Sequence, residues 1–328
     1  KTLPRVKGRG TRAVVTEYEL PRRTIQPHDV VLDKDGVIWY SDFGDQVIGK
    51  FDPKTLKHED VKIPSNLPGR PTGSLDLEVV RDGTFLVGMM NQGAVGRYDP
   101  KMAQWKIWDM PPEFNKDNVQ INMVTTNFAV DGKVWMNTND GTGNIYRLDI
   151  NSGQYELHQP LKLLPGGPAG NAIYQVSPDS QNNAWLAEFR NNYIGRIDAK
   201  TGEAQFYPVP TEKSRNRRGR MDEQDRFWFA QYRGGKVAVF DTKTRAVKEW
   251  PLASPWSAPY DLVTDKRGDI WTAGMATDRV SRVDQTTGAV TEYQLPRPTN
   301  VRRVWVDDAG PRPVFWVGSN HEIGRAHV

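Results

Sequence analysis

One pattern recurs through the whole chain and restricts what it can fold into. A strand centred on a large aromatic residue returns after about 43 to 50 residues each time, at Trp39, Phe85, Trp135, Trp185, Trp228, Trp271 and Trp316. A second strand follows and usually ends in aspartate, as in the segment from Ile48 to Asp52. Several short strands per unit at this period are typical of a β-propeller. The chain is therefore expected to be all-β, a seven-bladed β-propeller of four-stranded antiparallel blades.

The outer strands indicate how the ring closes. Six of them follow the inner repeats, at 58–64, 105–111, 155–160, 204–210, 247–252 and 290–296. The seventh copy, at 14–21, precedes the first repeat, whereas the last repeat has no outer strand. We expect this N-terminal strand to join the last blade, because closure removes an open sheet edge. The chain 1–328 is then a single propeller domain. Residues 323–328 fit a third strand, but one reading frame of a common sequencing adapter encodes the same residues, so a non-native tail stays the alternative.

Length and composition exclude several classes of protein. The 328 residues exceed the usual size of one core, but a propeller grows by adding blades. There is no apolar run of about 18 residues, so no membrane span is expected, and the absence of cysteine excludes disulfides and thiolate metal sites. The net charge of +4 is spread over the repeats, which does not suit a nucleic-acid partner. We expect a monomer in the periplasm or secreted, with the cytoplasm left open.

The first repeat contains a residue pair that no other repeat has. The segment Asp33 to Gly36 predicts a tight turn between two strands. Residues whose numbers sum to about 70 then face each other, which predicts that His28 and Asp42 pair at one rim of the central channel. The tryptophans recur in every part of the chain, so we interpret them as packing between blades.

Several of these motifs together resemble the virginiamycin B lyase (streptogramin B lyase) family of seven-bladed propellers. They are Pro-His at the inner strand, Asp-x-x-Gly turns, Trp-Tyr-Ser-Asp, Ile-Gly-Arg-Ile-Asp and Glu-Tyr-x-Leu-Pro. The resemblance implies a magnesium-dependent elimination that opens a cyclic depsipeptide ester, a reaction of antibiotic resistance. It uses a histidine after proline and a glutamate fourteen residues on. His28 and Asp42 match this spacing, with aspartate in place of glutamate, and are the candidate catalytic residues.

The same resemblance gives candidate magnesium ligands. Asp42 is one, and Glu188, the only glutamate at the fourteenth position, is the other. In that fourth repeat Tyr174 or Asn171 replaces the histidine. An imidazole can transfer protons near neutral pH, and magnesium bound by carboxylates can stabilise an enolate.

Other exceptions to the repeat predict a binding site at the same rim. Alignment on the tryptophans places Arg217, Tyr260 and Arg302 near His28, and Gln231 near a strand end. These four are the candidate substrate-binding residues. Arginine suits carboxylate or phosphate, so a small polar or anionic molecule is the expected partner. The basic cluster of Arg215, Arg217, Arg218 and Arg220 is also consistent with a solvated loop.

Three functions remain open from the sequence. The first is a magnesium-dependent carbon–oxygen lyase. The second is a non-catalytic ligand-binding or interaction propeller, a module of a larger exported protein. The third is a propeller lactonase, for which a cluster of three or four carboxylates at the channel would be expected, whereas only Asp42 and Glu188 are good candidates.

Overall fold

The computed structural model describes residues 3–70, 73–115, 120–138, 140–319 and 322–327. The described part of the chain is nearly all β, with seven antiparallel sheets of four strands each. Helical structure in the described ranges is limited to two 3-10 turns and one short helix, at Gly8–Thr11, Pro160–Leu163 and α1 (Gly167–Gly170). None of these is long and apolar enough to cross a membrane. The predicted seven-bladed propeller is confirmed.

The strands follow one another from the channel outward in each blade. The first strand of the chain is β1 (Val14–Glu19). Blades 1 to 3 contain β2 (Pro27–Leu32), β3 (Ile38–Asp42), β4 (Val47–Asp52), β5 (Lys57–Lys62); β6 (Ser74–Val79), β7 (Phe85–Met89), β8 (Ala94–Asp99), β9 (Gln104–Asp109); β10 (Ile121–Val124), β11 (Lys133–Thr138), β12 (Ile145–Asp149) and β13 (Tyr155–His158).

Blades 4 to 7 repeat this order, and the last one is completed by β1. They contain β14 (Ile173–Pro178), β15 (Ala184–Glu188), β16 (Tyr193–Ile197), β17 (Ala204–Pro208); β18 (Asn216–Met221), β19 (Arg226–Gln231), β20 (Lys236–Asp241), β21 (Val247–Pro251); β22 (Pro259–Thr264), β23 (Ile270–Gly274), β24 (Arg279–Val283), β25 (Val290–Gln294); β26 (Val304–Asp307), β27 (Val314–Ser319) and β28 (Glu322–His327).

The ring closes through the N-terminal strand, as predicted. Strand β1 pairs antiparallel with β28, from Val14 opposite His327 to Glu19 opposite Glu322. Strand β28 also pairs with β27, so it is the third strand of blade 7 and β1 is the fourth. The inner strand β26 contacts both β22 and β2. The first and last parts of the chain therefore share one sheet.

The repeated tryptophans are held by an aspartate in the preceding turn. In blades 1, 4, 5 and 6 the indole N–H donates to a carboxylate six residues earlier, over 2.8 to 3.0 Å. Those carboxylates also accept backbone N–H groups of the turn, as Asp179 does from Gln181 and Asn183. The turn aspartate and the tryptophan therefore form one unit, which explains why they recur together at a spacing of six residues.

Blade 2 departs from this unit, and the sequence assignment of Phe85 is wrong by one residue. Leu86 pairs with Glu78 as Trp39 pairs with Val31, so Leu86 occupies the tryptophan position. Phe85 is the residue before it. Its ring lies 4.4 Å from that of Trp39 and so packs against the tryptophan of the neighbouring blade.

A β-bulge interrupts the innermost hairpin of blade 1. Pro27 lies opposite Asp42 and Val30 opposite Tyr40, with an irregularity between them. The predicted pairing of His28 with Asp42 is therefore wrong by one residue. The bulge places two residues of β2, His28 and Asp29, opposite a single residue of β3. A bulge redirects side chains at the end of a strand, and comparable irregularities occur in blades 2 to 6.

The tryptophan–aspartate unit gives a stability prediction. We expect Asp179→Ala to lower the free energy of unfolding by about 2 kcal/mol, because it leaves the buried indole N–H of Trp185 without its acceptor. Urea denaturation followed by tryptophan fluorescence measures the change. Asp35→Ala, at an exposed turn position, is the control and should change stability by less than about 0.5 kcal/mol. Equal effects of the two substitutions would contradict the assigned role.

Candidate functional site

The inner strands place two residues of each blade against the central channel. Register with the second strand of each blade puts equivalent residues into two rings. The first ring contains His28, Leu75, Asn122, Tyr174, Arg217, Tyr260 and Arg302. The second ring contains Asp29, Asp76, Met123, Gln175, Arg218, Asp261 and Arg303. The first ring lies at the rim where the inner strands begin, which we call the upper mouth.

His28 is sealed within a chain of hydrogen bonds. Its side chain is 1% exposed, its Nδ1 lies 2.7 Å from Asp29 Oδ1, and its Nε2 lies 3.0 Å from the hydroxyl of Tyr260. The Tyr260 hydroxyl also contacts that of Tyr174. Burial lowers the pKa of His28 to about 4, although the hydrogen bond to Asp29 opposes this. The neutral ring therefore donates from Nδ1 to Asp29 and accepts at Nε2 from Tyr260.

Asp42 and Glu188 occupy equivalent positions and have the same local contacts. Asp42 Oδ1 accepts the backbone N–H groups sixteen residues before it and two residues after it, over 3.1 and 2.8 Å, and its other oxygen accepts from Arg22 over 2.9 Å. Glu188 accepts the corresponding N–H groups over 3.1 and 2.8 Å, and a third from Asn191 over 2.7 Å. Burial raises the pKa of Glu188, although the three hydrogen bonds act in the opposite direction. Both carboxylates therefore hold the turns of their own blades.

This arrangement does not fit the two residues as ligands of one magnesium ion. They belong to blades 1 and 4, and the oxygens of both already accept protein donors. Within the described ranges, no three histidine, aspartate or glutamate side chains converge into a group that could hold a metal ion. A magnesium requirement stays a prediction.

Gln231 lies in the same position of blade 5. It is fully buried, and its amide donates to Glu249 over 2.8 Å. Glu249 in turn contacts Lys236 over 2.8 Å. The amide group of Gln231 is thus part of a polar contact with the outer strand β21, to which Glu249 belongs, and not with the first ring.

Arg217 is surrounded by aromatic rings at the upper mouth. Its guanidinium carbon lies 4.0 Å from the ring centroid of Tyr232, 4.7 Å from Tyr260, 4.9 Å from Phe189 and 5.0 Å from Tyr174. Its one side-chain hydrogen bond in the described part of the chain is to Met275 Sδ, over 3.6 Å. Its Nε is buried without a hydrogen-bond partner. Arg217 therefore presents a charge that no carboxylate of the described residues neutralises.

Arg302 also lies close to an aromatic ring, in the blade next to that of His28. Its guanidinium lies 5.6 Å from the ring of Phe43, which also stacks on His28 at 6.1 Å. No described side chain forms an ion pair with Arg302. Phe43 is 40% exposed and Arg302 is half-buried. The upper mouth is therefore both cationic and aromatic.

The second ring contains ion pairs that reach across the channel. Arg218, from blade 5, contacts Asp29 of blade 1 at 3.1 Å and Asp76 of blade 2 at 3.0 Å. Arg303 contacts the same two carboxylates at 2.7 and 3.1 Å and also pairs with Glu78. We call Asp29, Asp76, Arg218 and Arg303 the ion layer. All four are at most 4% exposed, so the layer closes the channel beneath the first ring.

The pKa values of the two carboxylates of the ion layer are shifted in opposite directions. Burial would raise the pKa of Asp29, but Arg218, Arg303 and the bond from His28 hold it well below its usual value. Burial raises the pKa of Asp76 well above its usual value, and Glu78 adds to this while Arg218 opposes it. The lowered pKa keeps Asp29 ionised, so it accepts the hydrogen bond that orients His28.

The structure brings His28, Tyr260 and Arg217 together. Arg302 lies beside this group through its contact with Phe43. The other predicted site residues, Asp42, Glu188 and Gln231, have contacts elsewhere. The solvated-loop interpretation of the basic cluster is wrong for Arg217, Arg218 and Arg220, which all lie on strand β18. Arg217 and Arg218 contribute to the two rings, and Arg220 pairs with Asp261. The reason is that the strand begins at Asn216, within the cluster.

Sequence reasoning missed the aromatic residues around Arg217 and Arg302. Phe43, Phe189 and Tyr232 each directly follow a strand-end residue, after Asp42, Glu188 and Gln231. An aromatic residue at the same repeat position in three blades is a signal that could have found them. The ion layer was also missed. Its signal is a run of charged residues one position after the first ring, at Asp29, Asp76, Arg218, Asp261 and Arg303.

The fold and this mouth define a seven-bladed β-propeller with a cationic, aromatic site at one end of its channel. The profile of the virginiamycin B lyase family matches residues 165–328, half of the chain. The chain belongs to the virginiamycin B lyase family. No protein of curated function matches the sequence.

Solved structures show the same fold over nearly the whole chain. A streptogramin B lyase is 20% identical with a TM-score of 0.81, covering 98% of this chain and 99% of its own. A catalytically inactive histidine-to-alanine variant of virginiamycin B lyase from Staphylococcus aureus, solved with quinupristin, is 18% identical with a TM-score of 0.79, covering 97% and 100%. The extracellular domain of a hybrid two-component system from B. thetaiotaomicron is 18% identical with a TM-score of 0.70, covering 95% and 42%.

The sealed environment of His28 gives a pH prediction. Because its folded pKa of about 4 lies below the usual 6.5, the folded state binds fewer protons than the unfolded chain between these values. The contribution of His28 to stability is therefore complete above pH 6.5 and falls as the pH is lowered towards 4. In an NMR titration, the imidazole signal of His28 is the one that disappears in His28→Gln. Its chemical shift at pH 5 should still be that of a neutral ring. Titration of that signal near pH 6.5 would contradict the hydrogen-bonded chain.

Proposed function

We propose that this protein binds a small anionic molecule with a planar apolar part at the upper mouth. The observation that carries the proposal is that Arg217 and Arg302 are packed against aromatic rings and form no ion pair with any described side chain. The other arginines at the channel differ from them. Arg218, Arg220 and Arg303 all contact carboxylates.

The contacts of the two arginines leave their charge available. An aromatic face attracts a cation, but it accepts no strong hydrogen bond. Most of the N–H donors of Arg217 therefore have no acceptor among the described residues. A partly buried guanidinium without acceptors is costly, and a carboxylate or phosphate supplies two acceptors at once. The rings of Phe189 and Tyr232 beside Arg217, and that of Phe43 beside Arg302, would contact a planar apolar group of the ligand.

Substitution of the two arginines tests this binding function. We expect phenyl phosphate or phenylacetate to bind the wild-type protein in isothermal titration calorimetry. Arg217→Met and Arg302→Met should each weaken binding by about tenfold or more, since a charge-assisted hydrogen bond contributes at least about 1.5 kcal/mol. Arg233→Met is the matched control, because Arg233 is an exposed arginine of the same blade as Arg217, and it should bind as the wild type does. No binding of either compound, or equal loss in the control, would refute the proposal.

A second candidate is an elimination that opens a cyclic depsipeptide ester. Membership of the family favours it, as does the hydrogen-bonded chain from Asp29 through His28 and Tyr260 to the half-buried Tyr174 at the upper mouth. In this candidate His28 would accept or return a proton through Tyr260. Asp42 and Glu188 would act only on the turns that hold the site, because their oxygens are occupied.

Incubation with a streptogramin B antibiotic tests the second candidate. If the chain is a lyase, the ring of quinupristin should open by elimination: the ester C–O bond breaks, a neighbouring carbon loses its proton, and one linear molecule of unchanged mass carries the resulting carboxylic acid and alkene. The changed fragmentation in tandem mass spectrometry detects the opening, and His28→Ala should abolish the reaction. The assay is run with magnesium and with a chelator, which tests the magnesium prediction separately. An intact ring after incubation with magnesium would exclude this activity, and it would leave the anion-binding proposal untouched.

An exported location is also part of the proposal. It is supported by the B. thetaiotaomicron structure, in which a similar propeller is a part of an extracellular domain that this chain covers to 42%. A propeller that binds a ligand within a larger exported protein is consistent with that arrangement. Recovery of the native protein from the cytoplasmic fraction of its own organism would contradict it.

A further inference from the structure

A second arginine lies against the same aromatic ring as Arg217. The guanidinium carbon of Arg215 is 5.7 Å from the ring centroid of Phe189, and that of Arg217 is 4.9 Å from it. We call Arg215 and Arg217 the arginine pair. Arg215 is half-buried and directly precedes strand β18, of which Arg217 is the second residue. Two positive charges are therefore held at one ring of the upper mouth.

The backbone of Arg215 is held by two neighbouring turns. Its N–H donates to the carbonyl of Asn191 over 3.1 Å, and its carbonyl accepts the N–H of Tyr232 over 3.0 Å. Its φ of +52° lies in the left-handed region, which is uncommon for a residue other than glycine. The fold thus fixes where this residue stands, whereas neither hydrogen bond involves its side chain.

Blade 6 shows that the same loop forms without an arginine. Ala258 directly precedes strand β22, as Arg215 precedes β18, and the register of the two inner hairpins makes these residues equivalent. Ala258 has a φ of +49°, and its carbonyl accepts the N–H of Met275 over 3.1 Å. The loop conformation therefore does not require the guanidinium of Arg215.

No carboxylate of the described residues forms an ion pair with the arginine pair. Two acidic residues belong to the adjoining loops. Glu188 is buried and accepts three backbone N–H groups, and Glu212 is exposed. Because like charges repel, the arginine pair is more favourable with an anion bound than without one. A mouth lined by one sign of charge also concentrates ions of the opposite sign.

We propose that Arg215 makes the upper mouth selective for aromatic molecules with two anionic groups. One group is bound by Arg217 and Arg302 and the other by Arg215, while the aromatic part contacts the ring of Phe189. A guanidinium offers two parallel donors to a carboxylate or phosphate, so each group has its own partner. The selectivity rests on the anion binding proposed above, and it adds the class of ligand.

Three isomeric diacids and their monoesters test this selectivity. The probes are 1,2-, 1,3- and 1,4-phenylenediacetate, which differ only in the spacing of their carboxylates, and the monomethyl ester of each, which has nearly the same size but one charge. Phenylacetate is the reference, and isothermal titration calorimetry with the full chain gives the affinities. We expect at least one diacid to bind about tenfold more tightly than its monoester, because of the second charge-assisted contact.

Two substitutions in one loop identify the residue responsible. Arg215→Ala removes the second contact, and the loop around Ala258 indicates that alanine fits there. The ratio of diacid to monoester affinity should fall from about ten to about one in this variant. Lys213→Ala is the matched control, because Lys213 is an exposed cation of the same loop with a φ of +48°. It should keep the wild-type ratio, and circular dichroism checks the folding of both variants.

The outcomes separate this selectivity from anion binding as such. If phenylacetate binds the wild type but no diacid binds more tightly than its monoester, the selectivity is refuted and anion binding at the upper mouth stands. An unchanged ratio in Arg215→Ala, or an equal loss in Lys213→Ala, would also overturn the role of Arg215. If none of the compounds binds, both proposals fail.

Discussion

The ion layer is the interaction on which the rest of the channel depends. Arg218 crosses the axis from blade 5 to carboxylates of blades 1 and 2, and Arg303 joins the same carboxylates from blade 7. Such buried charges are costly to desolvate, and removing one partner leaves another charge unpaired. The layer fixes the tautomer of His28 through Asp29 on one side, and on the other its arginines line a cavity of about 840 Å³. One set of side chains thus orients His28 and closes the channel beneath it.

The repeat made the fold predictable, because each blade has the same tryptophan, turn and outer strand. The closure by β1 followed from counting outer strands. The first ring could be predicted for His28, Arg217, Tyr260 and Arg302, since these residues break the repeat at a fixed distance from the tryptophan. The pairing of His28 with Asp42 could not, because a bulge shifts the register by one residue and no residue type in the segment requires it.

The contacts across the channel could not be predicted for a different physical reason. Repeats show which residues are equivalent, but they do not show which blades face each other through the axis. The bond between His28 and Tyr260 joins residues 232 positions apart, and that between Arg218 and Asp29 joins residues 189 positions apart. Family membership likewise defines the scaffold, whereas activity depends on the side chains at its mouths. Here those side chains are arginines among aromatic rings.

The shared sheet of β1 and β28 has a consequence for how the chain is made. Strand β1 is synthesised before all the other described strands, yet its partner, β28, is synthesised after them. Until β28 is synthesised, the backbone hydrogen-bonding groups of β1 have no partner strand, while the strands of the other six blades are already available to fold. Its charged residues Glu17 and Glu19 discourage pairing with other nascent strands during that interval. The strand that completes the ring is thus also the described strand that must avoid wrong pairing for the longest time before the protein is folded.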